Sequence, residues 1–211
     1  AAAGLWSTPS DLLTWAMAIS DARAGRPLAV LSQASAKAML TPQKGPAGLG
    51  PFLRGEGRAL RFGHPGWNEG FHSELVYFPE LGKGAAVMVN GVAGRPMVRE
   101  ILYAIAAEYA WPGFAPDTIE PVEVEAQTKD ALGGRFEATV EGADVAAEVR
   151  RGGDKLTIES SKLGLRSELA FVSKTSFVVL DTGDEFSFTL DEKGAIAAID
   201  WGGIALPRAK R

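Results

Sequence analysis

The residue types that could do chemistry in this 211-residue chain crowd into one stretch, Phe62-Gly63-His64-Pro65-Gly66-Trp67-Asn68-Glu69-Gly70-Phe71. One of only two histidines stands directly before a Pro-Gly pair, another glycine follows four residues on, and an apolar run, Leu75-Val76-Tyr77-Phe78, then leads to Pro79. Proline cannot donate a backbone hydrogen bond and biases His64 towards an extended conformation, while Gly66 has no Cβ to hold a ligand off the main chain. Such a strand edge can bring an imidazole and a bare backbone up to a substrate. The same residues also describe a tight turn with His64 as a solvated turn residue.

Other chemistries find less support. His64 and His72 have no carboxylate at helical or zinc-like spacing, so no metal site is expected. The absence of cysteine excludes disulfides, thiol catalysis and cysteine-ligated metals. No serine has a lysine three residues later. Ser35-Ala36-Lys37, Ser161-Lys162 and Ser173-Lys174 miss that spacing, and neither Tyr-x-Asn nor Ser-x-Asn occurs. A net charge of −4 with 46% hydrophobic and 23% charged residues supplies no basic field to recruit nucleic acid. No apolar run reaches the roughly 18 residues of a membrane span, and no signal-peptide pattern opens the chain.

The elements that must position His64 can be read around it. Thr8-Pro9-Ser10-Asp11 is a helix start, with Thr8 as N-cap, Pro9 at the first helical position and Asp11 reaching back as in a capping box. Leu12, Trp15, Ala16 and Ile19 recur at helical spacing until Gly25-Arg26-Pro27. Ser32 caps a second short helix through Met39-Leu40. A loop at 45–51 leads to a strand near Phe52-Leu53. Strands are then predicted over Arg61 to Trp67, Phe71 to Phe78 and Ala85 to Asn90, the last two joined by a turn at Pro79-Glu80-Leu81-Gly82. Asn68 and Glu69 make the turn after the site strand or line a cleft rim. A helix from about Pro96 to Ala110 carries an apolar stripe of Val98, Ile101, Leu102, Ile105, Ala106 and Tyr109. Trp6 and Trp15 are expected in the core, and His72 on a strand surface.

Three prolines between Trp111 and Pro121 mark a domain boundary. Beyond it the pattern has period two: Phe136/Ala138/Val140, Val145/Ala147/Val149, Leu156/Ile158, Leu165/Leu169/Phe171, Phe177/Val179, Phe186/Phe188/Leu190 and Ile196/Ala198. Turn signals at Glu141-Gly142, Gly152-Gly153, Asp181 to Asp184 and Lys193-Gly194 divide it. About eight short antiparallel strands, each buried on one side, imply a meander closing into a small barrel. A carrier of a small apolar ligand is one reading of such a barrel, but inward Phe136, Phe177, Phe186 and Phe188 favour a filled interior.

The run from His64 to Pro79, with Lys83-Gly84-Ala85-Ala86-Val87-Met88-Val89-Asn90 behind it, resembles the third-motif region of the serine β-lactamase and penicillin-binding-protein-like hydrolases, closest to the class C and esterase-like branch. Gly4-Leu5-Trp6-Ser7-Thr8-Pro9-Ser10-Asp11-Leu12 resembles a helix start of that branch, so the likeness spans residues 4 to about 112. It implies an acyl-enzyme hydrolase, acting on amide or ester bonds of a small-molecule or peptide substrate without a cofactor. By residue, it implies that His64 is the Lys/His of the third motif, Gly66 its glycine, and Trp67 the backbone N–H donor of the oxyanion hole. Pro65 replaces the usual Ser/Thr, removing a hydroxyl that helps hold a substrate carboxylate. Arg95 loosely matches a position that can approach a substrate carboxylate, though a solvated helix-entry arginine reads the same way, and Asn68, if it lines the cleft rim, is the other substrate-side candidate.

Two family motifs, Ser-x-x-Lys and Tyr-x-Asn or Ser-x-Asn, are missing, and family order puts both upstream of Ala1. The expectation is therefore a C-terminal portion of a hydrolase, inactive alone, whose site is completed by an N-terminal segment of the same protein, or whose open surfaces pair two copies. The expected architecture is α+β, an incomplete antiparallel sheet with helices over residues 1–114, a linker over 115–132, and a lipocalin-like all-β barrel over 133–211. A non-catalytic module of the same fold, binding peptide or cell-wall ligands, is the rival. A bacterial periplasmic or secreted setting is preferred to the cytoplasm.

Overall fold

The computed structural model describes residues 4–27, 30–68, 70–91, 94–140, 142–161 and 165–209. It divides into two compact units, Ala1–Pro116 and Asp117–Arg211.

The first unit is a four-stranded antiparallel sheet between helices. Helix α1, Pro9–Arg23, starts where the sequence says: the Asp11 backbone N–H donates to Thr8 Oγ1 at 3.1 Å, with Pro9 in the first turn. The Asp11 carboxylate does turn back, but it accepts from the Thr8 hydroxyl at 2.9 Å, not from a backbone N–H as a capping box would have it. Gly25, at φ 73°, lets the chain leave the helix. Helix α2, Gln33–Met39, is capped by Ser32.

Strands β1 (Phe52–Arg54), β2 (Arg61–Asn68), β3 (Phe71–Phe78) and β4 (Lys83–Asn90) lie side by side in chain order. Period-two alternation sends Phe62, Leu75 and Tyr77 to one face, where Ala16 and Ile19 of α1 and Leu40 meet them. It sends Val76, Phe78 and Ala85 to the other, covered by Val98, Leu102 and Ala106 of α3, Gly94–Glu108. The buried stripe of α3 is narrower than its apolar residues suggest, since Ile101 and Tyr109 are exposed.

Two tryptophans depart from expectation. Trp6, ahead of the first helix, is 94% exposed, and Trp15 is 40% exposed while its ring meets Phe62 edge-on.

The second unit is an eight-stranded antiparallel meander, β5 (Gly134–Val140), β6 (Ala143–Gly152), β7 (Lys155–Ser160), β8 (Leu165–Phe171), β9 (Ser176–Val179), β10 (Asp184–Leu190), β11 (Ile196–Trp201) and β12 (Ile204–Pro207). It is nearly closed: Phe136 bridges to Arg208, and the Ala209 N–H donates to the Arg135 carbonyl at 2.8 Å. Phe136, Phe177, Phe186 and Phe188 are buried in one core with Ile158, Ile199 and Leu206, so side chains fill the interior. The Leu165 side chain lies outside the described residues.

Alternation fails in β9, whose four residues are all buried, and again where pairing jumps from Thr189↔Ala198 to Leu190↔Ile196 and skips Ala197. That bulge buries Ile196 and Ile199 rather than Ile196 and Ala198, and leaves Leu190 exposed.

The stretch expected as linker is not all linker. Ala126–Leu132 forms a helix, α4, whose Leu132 is fully buried in the barrel core. Arg208 lies over the Phe136 ring at 4.6 Å and donates to the carbonyls of Gly133, at 2.9 Å, and Ala131. A guanidinium thus satisfies carbonyls at the end of α4 that the helix cannot.

Candidate functional site

The stretch around His64 is strand, not turn. Residues 62–68 pair with β3, placing His64 opposite Leu75, Pro65 opposite Glu74, Gly66 opposite Ser73 and Trp67 opposite His72. On its other side β2 pairs with β1 only through residues 61–63. From His64 onwards, among the described residues, that edge has no strand beside it. A Cβ at Gly66 would meet the Ser73 hydroxyl opposite it, so a side chain there would make that hydroxyl turn away.

His64 is exposed, with its ring stacked on Phe52 at 5.0 Å between centroids. Its Nδ1 lies 2.5 Å from the Pro65 carbonyl oxygen. A carbonyl only accepts, so Nδ1 carries the proton in this contact and Nε2 is the acceptor of the neutral ring. Pro65, Trp67 and Asn68 are exposed, Trp67 by 63%. β2 ends at Asn68 and the chain turns through Gly70 at φ 76°, while Glu69 lies outside the described residues.

His72 is not a surface residue: it is 8% exposed, beneath the start of α3, where a Cβ on Gly94 would sit 3.2 Å from its Cδ2. Its alternation relative to Phe71 was read correctly, but the face away from Phe71 is the one that α3 covers. Among the described residues no three His, Asp or Glu side chains gather as a metal set. None of the described helices is long and apolar enough to cross a membrane.

Arg95 is the second residue of α3, on the face where Glu74 also lies. Glu74 is the charged residue that sequence reasoning passed over. Burial pushes its carboxyl above the usual range, against the opposing pull of Arg54, His64, Arg99 and Arg95. The signal was present in its parity, because Glu74 alternates in step with the buried Val76 and Phe78. One carboxyl therefore stands within electrostatic reach of both the His64 strand and the start of α3.

By alternation His64, Gly66 and Asn68 share the α1 face, and Pro65 and Trp67 the α3 face. Beyond the part covered by α1, the first face carries Phe71, 59% exposed, and Met88, 37% exposed. The arrangement is an exposed imidazole on a strand with an open edge, flanked by bare backbone at Gly66 and an uncovered apolar shelf.

A family model described as Beta-lactamase matches residues 1–110. No curated protein matches the chain. Among solved structures, the crystal structure of SurE with D-Leu is similar at 21% identity and a TM-score of 0.52, over 96% of this chain and 50% of that one. A second crystal structure of SurE gives 21% and 0.51, over 96% and 48%. The octameric penicillin-binding protein homologue from Pyrococcus abyssi gives 20% and 0.40, over 93% and 46%. The chain spans about half the length of each of these structures. At such identities the two SurE likenesses bear on the fold.

Proposed function

The chain belongs to the beta-lactamase family, and from that premise we propose that it is the C-terminal portion of a serine hydrolase acting on amide or ester bonds through an acyl-enzyme. The observation that carries this reading is the geometry of His64-Pro65-Gly66 on β2: an exposed imidazole and a side-chain-free position on a strand whose outer edge is open from His64 onwards. Such an edge can accept an extended substrate, because its outward backbone groups have no ladder partner.

In this reading a serine, activated by a lysine three residues on, comes from a segment outside this chain. It attacks the substrate carbonyl, and the acyl-serine is then hydrolysed by water. His64 stands beside the nucleophile, with Nε2 available to accept a proton from it or to give one, once protonated, to the leaving group. The Trp67 backbone N–H joins that of the serine on the developing oxyanion. Losing one such donor costs about 2.7 to 4 kcal/mol of transition-state stabilisation. Asn68 and Arg95 are the substrate-side groups of this proposal, and Pro65 supplies no hydroxyl for a substrate carboxylate.

The test uses the full-length parent, treated with a fluorescent penicillin and with a fluorophosphonate. Covalent labelling on a serine upstream of this chain is expected, as is a fall in kcat/KM on His64→Ala with the fold retained. An unchanged rate in His64→Ala would return His64 to a structural part. This chain by itself is expected to form no acyl-enzyme, and stoichiometric labelling of one of its own serines would refute that.

Pro65 favours a second reading, a module of the same fold that binds peptide or cell-wall ligands without turnover. A parent lacking Ser-x-x-Lys upstream, with reversible ligand binding and no covalent label, would select it.

A further inference from the structure

On the α3 face of the sheet, away from the face His64 shares with α1, the first unit gathers arginines. Arg54 of β1 is paired directly with Arg61 of β2 across the antiparallel register. Like charges directly opposite one another in a sheet repel. The effect is visible at Arg61, whose guanidinium is held below its ordinary pKa by burial first and by Arg54 second. Among the described residues neither side chain has a carboxylate partner.

Arg61 is nevertheless held firmly. Its guanidinium lies 5.3 Å from the Phe114 ring centroid and 6.0 Å from that of Phe78. Aromatic stacking takes the faces of a guanidinium and leaves its N–H edge to bind something else. Tyr103, itself 5.6 Å from Phe114, connects this bed to α3, where Arg99 donates to the Tyr103 hydroxyl at 2.8 Å. Trp111 packs in the same bed with an indole N–H that has no acceptor among the described residues.

Glu74 is within electrostatic reach of both Arg54 and Arg99, and it is a poor counter-ion. Burial raises its pKa despite Arg54 and Arg99, and it forms no hydrogen bond with either. In a chain with net charge −4, Arg54, Arg61 and Arg99, which form no ion pair among the described residues, are thus linked on one side of this sheet, two by strand register and the third through Tyr103 and the Phe114 ring.

We propose that Arg54, Arg61 and Arg99 form a phosphate-binding site, taking the doubly charged phosphate group of inorganic phosphate or of a phosphate monoester. Guanidinium forks match phosphate oxygens two at a time. A dianion between Arg54 and Arg61 converts their repulsion into shared attraction, which a single carboxylate does less well. The stacking of Arg61 and the Tyr103 contact of Arg99 orient both groups before the ligand arrives, so little side-chain freedom is lost on binding. This site is independent of the hydrolase reading above.

The experiment is titration calorimetry on the full chain at low ionic strength, with inorganic phosphate, glycerol phosphate and acetate as separate ligands. One phosphate per chain is expected, with acetate at least about tenfold weaker and affinity falling as salt is added. Arg54→Gln, at an exposed position, is expected to weaken phosphate about tenfold, and Arg54→Gln with Arg99→Gln to abolish binding. Arg61→Lys keeps the charge and loses the fork, so it too should weaken binding. Circular dichroism spectra matching the parent chain establish that each variant is folded. Tighter glycerol phosphate than inorganic phosphate assigns the site to esterified phosphate, and the reverse assigns it to the free ion. No binding at millimolar phosphate, binding that survives the double variant, or acetate binding as tightly as phosphate would overturn the proposal.

Discussion

The two sheets of this chain treat their edges in opposite ways. The barrel brings β12 back to β5, gathers its large apolar side chains into one interior cluster, and ties its end to α4 through Arg208. The first unit splits its core into two smaller clusters on either side of an open sheet. Among the described residues it leaves the outer edge of β2 without a strand partner from His64 onwards, and it exposes Trp6, Trp67, Phe71 and Met88. Closure abolishes edges, whereas an open sheet keeps unpaired backbone groups that can meet another chain or a substrate. The contrast separates a sheet that brings its two edge strands together from one that leaves part of a strand edge open.

The strongest way to break this contrast is to separate the units. Residues 117–211 alone are expected to unfold cooperatively with strong amide protection. Residues 1–116 alone are expected to exchange rapidly or to associate. Hydrogen exchange and sedimentation decide it, and a monomeric, strongly protected first unit would refute the comparison.

A second measure concerns how completely the barrel is packed. Phe177, fully buried and stacked on Phe186 at 5.5 Å, lies within the barrel's core cluster. Phe177→Ala is expected to cost about 3 to 5 kcal/mol in denaturant unfolding of the barrel, as for large-to-small changes in close-packed cores. A loss under about 1 kcal/mol would indicate a loose interior and reopen the ligand-carrier reading of the barrel.

Smaller changes sharpen the picture of the first unit. Thr8→Ala removes the hydroxyl that accepts the Asp11 N–H, and is expected to cost about 1 kcal/mol of first-unit stability. Thr8→Ser, which keeps the acceptor, should restore most of it.

The smallest effect is expected at Glu74. Its folded pKa is raised, so its charged form is the one disfavoured by folding, and stability falls as pH rises from the ordinary carboxylate range through the raised value. Glu74→Gln is therefore expected to raise Tm modestly at pH 7, with the difference vanishing below the ordinary carboxylate range. A variant less stable at pH 7 than the parent would mean that the arginines outweigh burial.

Much of this was legible without coordinates, for reasons that differ by residue. Thr8-Pro9 announces α1 because capping and the fixed φ of proline act within four residues. Seven strands of the barrel follow from period-two alternation, while β12 has no alternating run to announce it; the Ala197 bulge also escaped, since an inserted residue shifts pairing without changing composition. The glycine at 66 and the histidine at 64 could be placed on a strand with a partner beyond Phe71.

Tertiary structure alone decided three other matters. Whether His72 is wet depends on which face α3 covers, and no local pattern carries that. Leu132 belongs to the barrel because a seven-residue helix, too short to persist by itself, is stabilised by the core it enters and by the Arg208 guanidinium, whose position is set from the far end of the barrel. The gathering of Arg54, Arg61 and Arg99 joins two strands to a helix across 45 positions of chain, and only the register of β1 on β2 and the packing of α3 bring those charges to one face. Sequence determines what each strand and helix can be, because those preferences are local. Which charges and edges become neighbours is settled by the faces that remain once the apolar ones have been buried.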